Sequence, residues 1–317
     1  LLLHRDTADN QGISGREVAS RQKAGVMGKA HYVARVADDN GIIRYTDEEH
    51  AIWAALYQRQ RQAINGRACA EFIHGLDILQ LPTDRVPQLE EVSRVLRRET
   101  GWAVAPVPAL IPIADFFALL ANRQFPAATF VRRREQFDYL QEPDIFHEIF
   151  GHAPLLTNPW FAGFTEAFGK LGLASQPEEH DALARLYWFT VEFGLIQPPG
   201  EDLRIYGGGI LSSVGETLYA LGPTPQRQRF NLLEALRTPY RIDIMQPLYF
   251  VLEDLRELET LARADVMASI AEASRLGLYA PLFDPAAPSS ANTGAPKSMP
   301  FAIPTPDAAS HHPESTL

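Results

Sequence analysis

The sequence predicts a mainly α protein with a few short β-strands. Apolar residues recur at helical spacing through most of the stretch from residue 47 to 263. Gly, Pro and small polar residues punctuate these runs at intervals that suit helix ends. A β-type run such as the start of Thr129–Arg134 (TFVRRR) is short by comparison.

Taken in order, residues 1–40 are polar and without sustained periodicity, so a loosely ordered arm is expected. Thr46 and Glu49 have capping-box spacing, and Ile52, Trp53, Leu56 and Tyr57 form a stripe behind them. This predicts a helix over 47–64, ended at Gly66. Helices are also expected over 67–79 and 89–100, separated by Pro82 and Pro87. Another follows over 115–122, after the Pro-rich loop 106–112. Further helices are expected over 144–151, 160–173 and 178–195, the last carrying Leu183, Leu186, Tyr187, Val191 and Glu192. Two more are read over 231–236 and 246–263, the latter with Leu248, Val251, Leu252, Leu255 and Leu258 on one face. From Pro285 onward Pro, Ser, Ala and Thr dominate, so residues 285–317 are expected to be a disordered tail. His311 and His312 lie in it and are discounted as ligands.

The ordered part, 41–284, is long enough to bury a sizeable core. Of the 317 residues 46% are hydrophobic and 21% charged, as in an ordinary water-soluble globular chain. The formal charge of -10 argues against a phosphate-tracking surface, so no nucleic-acid partner is expected. The lone Cys69 excludes an intrachain disulfide and suits a reducing compartment; it is read as a small packed residue. The apolar stretch 107–121 is broken by Pro108, Pro112 and Asp115, and Leu1–Leu3 is too short for a signal-peptide core. A cytoplasmic protein away from membranes is therefore expected.

The chemistry concentrates in Gln141–Pro159, QEPDIFHEIFGHAPLLTNP. His147 and His152 stand five residues apart among Ile145, Phe146, Ile149, Phe150 and Leu155, with Glu148 directly after the first. A second run, Tyr187–Leu195 (YWFTVEFGL), holds a lone carboxylate, Glu192, among aromatic and aliphatic residues. Burying an unpaired carboxylate is costly, so a cation is its simplest partner. Two His and one Glu form the set that holds non-haem iron(II) with positions left open for oxygen. HExxH would put both His on one helical face and suggest a zinc peptidase, but this is HExxxH. Five helical residues turn the side chains about 140° apart, so the helix must be distorted or end near Gly151. One alternative makes both His hydrogen-bonded core residues and Glu192 an ion-pair partner; another is a zinc hydrolase using Glu148 as base. Elsewhere, Arg132, Arg133 and Arg134 read either as a solvated cluster or as an anion site. In Arg204–Glu216 (RIYGGGILSSVGE), the glycines allow close backbone approach or positive φ, and the run lacks a P-loop or dinucleotide fingerprint. Ser212 and Ser213 behind them suit a small polar ligand.

EPDIFHEIFGH, LLTNP, ARLYWFTVEFGL and IYGGGILSS together resemble the pterin-dependent aromatic amino acid hydroxylases, above all the short bacterial phenylalanine hydroxylases. The resemblance spans about residues 45–270 and implies one catalytic domain of that type over 41–284. It implies that His147, His152 and Glu192 hold iron(II), and that Arg132 pairs with the substrate α-carboxylate. It places Gly209 and Ser212 beside the amino-acid backbone, and Trp188, Phe146 and Pro143 around the ring pocket. It implies a tetrahydropterin site at Leu110, Ile111, Phe116, Glu148, Ala184 and Tyr187, in and beside the loop 107–113. Ala109 and Ile113 depart from the mammalian pattern of Gly and Ser, which would remove a side-chain hydroxyl contact at Ile113. The implied activity is iron- and tetrahydropterin-dependent hydroxylation of L-phenylalanine with O2, with tryptophan or tyrosine as alternative substrates. An apolar Ile242, where tyrosine enzymes of the family are acidic, favours a ring without a hydroxyl. The chain has no match to the animal enzymes' regulatory domain or heptad helix, so a monomer without phenylalanine-driven allostery is expected.

Overall fold

The computed structural model describes residues 32–138, 140, 142–285 and 301–302. The chain divides into Leu1–Val33 and Ala34–Leu317. The first unit, with most of the expected arm, lies outside the described residues except at its last two positions, and every element below belongs to the second.

Helix α1, Asp47–Ala63, starts on the expected capping box, with Thr46 and Glu49 each accepting the other's backbone N–H. Helix α2, Ala70–Leu79, starts later than the sequence suggests. Cys69 is extended there and donates its N–H to the Ile205 carbonyl, so the backbone is committed to a neighbouring segment first. Cys69 itself is buried and free, a packed residue as expected. Helix α3 is Leu89–Glu99.

Strand β1, Ala103–Val107, leads through the short β2, Ile111–Pro112, into α4, Ile113–Ala121. Strand β3, Gln124–Ala128, then pairs parallel with β1. The β-type character expected from Thr129 is displaced, because the strand ends at Ala128. Beyond it the Arg132 N–H is taken by the Asp144 side chain instead of a ladder partner.

Helix α5, Pro159–Ala174, is capped by Asn158, with Pro159 in its first turn. The helix expected over 178–195 is shorter: α6, His180–Tyr187, passes into a π-helical segment, Trp188–Glu192, and strand β4, Leu195–Ile196, follows. Strand β5 is Arg204–Ile205, helices α7 and α8 are Gly208–Leu211 and Val214–Ala220, strand β6 is Gln226–Arg229, and α9 is Leu232–Arg237.

The helix expected over 246–263 is half strand: β7, Leu248–Leu252, precedes α10, Arg256–Arg263. β7 is interior to a four-stranded sheet of order β5-β4-β7-β6 and parallel to both neighbours. Such a strand carries an unbroken apolar run, which also satisfies helical spacing. Helix α11, Val266–Leu276, closes the fold. Within the tail, 286–300 and 303–317 lie outside the described residues, while β8, Phe301–Ala302, pairs parallel with β2.

Candidate active site

The awkward histidine spacing is resolved by a change of helix type. His147–His152 is a π-helical turn, buried throughout, in which the Ala153 N–H reaches the Glu148 carbonyl five residues back. In i→i+5 geometry residues five apart stack on one face, and such turns gather at functional sites. Asp144 fixes its start: Oδ1 accepts the His147 N–H at 3.1 Å and its carbonyl accepts the Glu148 N–H at 3.1 Å. Gly151 does not end the turn. A Cβ there would lie 2.7 Å from the Gly208 carbonyl, so the glycine permits contact with α7.

Glu192 ends a matching π segment, closed by the Phe193 N–H on the Trp188 carbonyl at 2.8 Å. The two turns bring three buried side chains together. His147 Nε2 and His152 Nε2 are 3.1 Å apart, and Glu192 oxygens lie 3.7 and 3.3 Å from them. Ser212 Oγ is 2.9 Å from His147 Nδ1 and donates to the Gly209 carbonyl, so its lone pair faces the ring. In the tautomer protonated on Nδ1, His147 donates to Ser212 and presents the Nε2 lone pair to the cluster.

The triple glycine serves this packing. A Cβ at Gly208 would sit 2.4 Å from His152 Nδ1, and one at Gly209 2.8 Å from Glu192 Oε2. Neither has positive φ, so of the two uses open from the sequence, close approach is the one realised.

The three arginines divide. Arg133 and Arg134 are exposed, whereas Arg132 is buried and grips Asp144 through Nε and Nη2, both at 2.8 Å. Nη1 is not part of that fork. Phe146 lies under the guanidinium, stacks on Phe150 and meets Trp53 edge-on, so it supports Arg132 from the core side. Pro143 is buried beside Asp144. Trp188 is stacked between Phe193 and Tyr240 and donates its Nε1–H to Gln246.

On the loop side, Leu110 is half-buried and Ile111 buried. Phe116 meets Tyr187 edge-on at 5.3 Å, one turn after the enclosed Ala184. Burial pushes the Tyr187 phenol well above its usual pKa, and the carboxylates of Glu192 and Glu148 add to the rise. Glu148 is buried, and His147, Glu148 and His152 each offer a ligand atom within 4.8 Å of the others.

Sequence reasoning missed Asp144, Glu216, Tyr240, Gln246 and Tyr249. Asp144 carried a signal: an Asp three residues before His147, at cap spacing, inside an apolar run. The others had none that spacing alone reveals.

The residues fit a metal ion. Glu192 is 2% exposed, its Oε1 has no hydrogen-bond partner, and among the described residues no Lys or Arg pairs with it. A divalent cation between the carboxylate and two imidazole lone pairs would remove that deficit.

The profile of the biopterin-dependent aromatic amino acid hydroxylases matches residues 5–272. The chain belongs to that family. It is 61% identical over 259 residues to the phenylalanine-4-hydroxylase of Pseudomonas aeruginosa, covering 82% of this chain and 98% of that one. It is 56% identical over 255 residues to the Vibrio cholerae phenylalanine-4-hydroxylase, covering 80% and 88%. The apo structure of the cold-active phenylalanine hydroxylase from Colwellia psychrerythraea 34H superposes with a TM-score of 0.77 at 54% identity, covering 79% and 97%. Membership makes the chain an iron- and pterin-dependent oxidoreductase and removes the zinc-hydrolase alternative based on Glu148. The mainly α catalytic fold is that of its structural relatives.

Proposed function

We propose that this chain hydroxylates L-phenylalanine to L-tyrosine with O2, using iron(II) held by His147, His152 and Glu192 together with a tetrahydropterin. The observation that carries the ligand set is the convergence of two imidazoles on a buried carboxylate that pairs with no Lys or Arg among the described residues. Glu192 is preferred to Glu148 as the third ligand because its oxygens already lie 3.3 and 3.7 Å from the two Nε2 atoms. Glu148, next to His147, is left to face the pterin.

Iron and tetrahydropterin, when bound, activate O2 for insertion into an aromatic ring. The chain's own residues do the rest. Ser212 and Asp144 hold the His147 ring and backbone. Arg132, fixed by Asp144, offers its Nη1 edge to the substrate carboxylate, and Gly209 and Ser212 approach the amino-acid backbone. Trp188 is assigned to one wall of the ring pocket, and half-buried Ile242 is apolar where tyrosine enzymes of the family are acidic. Phe116, Ala184 and Tyr187, with Leu110 and Ile111, give the pterin an apolar bed, and the enclosed cluster excludes bulk water.

The phenylalanine preference is supported by the names of the closely similar relatives. Among the described residues no helix is long and apolar enough to cross a membrane, and we take the enzyme to be cytoplasmic on its single cysteine, which suits a reducing compartment. We take it to act as a monomer on a small-molecule substrate, without nucleic acid; a stable tetramer in sedimentation would refute that. Purified chain given iron(II), a tetrahydropterin and O2 should yield tyrosine from phenylalanine faster than products from tryptophan or tyrosine. Pterin-independent turnover, or none, would refute the reading.

A further inference from the structure

Glu216 is a buried carboxyl with no part in the chemistry above. It sits in the first turn of α8, where the N-cap Ser213 accepts its backbone N–H. It is wholly enclosed, and among the described residues no ion pair involves it. Its Oε1 accepts the Tyr249 hydroxyl and, at 3.4 Å, the Gln246 N–H; Oε2 has no hydrogen-bond partner. An aliphatic side chain would avoid the desolvation cost, unless what the carboxyl holds matters.

What it holds is the approach to β7. Gln246, two residues before that strand, uses its whole side-chain amide. Oε1 accepts the Trp188 Nε1–H at 3.0 Å, and Nε2 donates to the carbonyls of Arg241 and Ile244 at 2.8 and 2.9 Å. One glutamine thus ties the indole plane to the turn that carries Ile242. Glu216 grips this unit at the Gln246 backbone and again at Tyr249. Burial pushes its carboxyl up to about 8, against the smaller lowering effect of these two bonds, so near neutral pH it is mainly uncharged and tolerates the site.

We propose that Glu216 is a positioning residue for the aromatic-ring pocket: through Tyr249 and Gln246 it sets the Trp188 plane and the Arg241–Ile244 turn, and so tunes which aromatic amino acid fits. This rests on the reading that Trp188 and Ile242 border the ring. A purely structural role would lower stability without favouring one substrate parameter over another.

The test compares wild type, Glu216→Gln, Glu216→Ala and Tyr249→Phe as iron-loaded enzymes, measuring KM and kcat for phenylalanine and tryptophan, KM for the tetrahydropterin, and bound iron. No tyrosine from wild type would overturn the site reading and this inference with it. Given wild-type turnover, Glu216→Gln keeps an acceptor for both bonds and holds the phenylalanine KM near wild type. Glu216→Ala raises that KM by about tenfold and shifts the phenylalanine-to-tryptophan preference, with pterin KM and iron unchanged. An unchanged phenylalanine KM, or equal rises in both KM values with iron lost, overturns the proposal. If the Ala variant does not fold, Tyr249→Phe decides: it removes one hydroxyl and should raise the phenylalanine KM by about threefold, and an unchanged value overturns the proposal.

Discussion

Asp144 and Glu192 are both buried carboxylates on the edge of the same cluster, and they are satisfied in opposite ways. Asp144 has its cation in the protein, a two-pronged grip from Arg132, and spends its remaining capacity on backbone N–H groups. Among the described residues Glu192 has only imidazoles as ion-pair partners, and it keeps an oxygen without a hydrogen bond. The first is a finished ion pair that positions other groups. On the proposed ligand set, the second is completed by a bound cation. Burial alone does not separate a structural acid from a metal ligand; the bookkeeping of partners does.

Breaking the open site should give the largest effect. Glu192→Ala should cut tyrosine formation by about a thousandfold or more, measured as product per iron-loaded chain. Iron(II) at a hundredfold excess over its dissociation constant should stabilise the wild type by about 2.7 kcal/mol and leave this variant's melting unchanged. Retained turnover would take Glu192 out of the ligand set. Breaking the finished pair should instead show in stability. Asp144→Asn leaves the Arg132 charge buried without its counter-ion, and urea denaturation should register a loss of about 3 kcal/mol. In metal-free protein the contrast reverses: Glu192→Gln should be at least as stable as wild type, because it removes a carboxylate lacking a cation.

Glu216 sharpens the comparison as a third case, an acid with no ion-pair partner among the described residues. Its carboxyl is raised from an ordinary 4.5 to about 8 by burial. Below about pH 4.5 folded and unfolded chains both hold the proton. As pH rises towards 8 the unfolded chain releases it while the folded chain keeps it, so stability from this group falls across that window and then levels. The charged and titratable groups whose influence reaches the Glu216–Tyr249 pair are Tyr219 on its own helix and Arg227 on β6. Glu216→Gln lacks the proton, so its melting temperature should gain on wild type by a few degrees between about pH 5 and 8. A constant gap would show that Glu216 is ionised throughout.

The histidine pair and Glu192 stood out because each places a ligating group in an apolar frame, a conflict visible without coordinates, whereas only the family resemblance separated Arg132 from its two arginine neighbours. The π turns were legible only as a problem, since HExxxH fits no regular helical face, and the structure supplied the solution. The sheet was not legible. Leu248–Leu252 is apolar at every position and fits both periods, and β4 begins where the helical pattern read over 178–195 ends. Helix α11 was missed because Ala268, Ser269, Ala271, Ala273 and Ser274 leave too faint a stripe. The Glu216–Gln246–Trp188 chain joins three segments separated by about thirty residues each, and only folding brings their polar atoms into range.

The arginine run offers the finest cut. Arg132→Lys keeps the charge but not the planar fork, so it can satisfy either Asp144 or a substrate carboxylate well, not both. The phenylalanine KM should rise by about tenfold while the pterin KM holds. Arg134 is two residues away and exposed, and its contact with Glu48 is a 3.8 Å surface pair. Such pairs contribute about 0–1 kcal/mol and are screened by salt. Arg134→Ala should therefore leave both KM values and the urea midpoint within error of wild type. A phenylalanine KM that moved with Arg134 and not with Arg132 would mean that Arg132 serves only Asp144 and that the substrate carboxylate is held elsewhere.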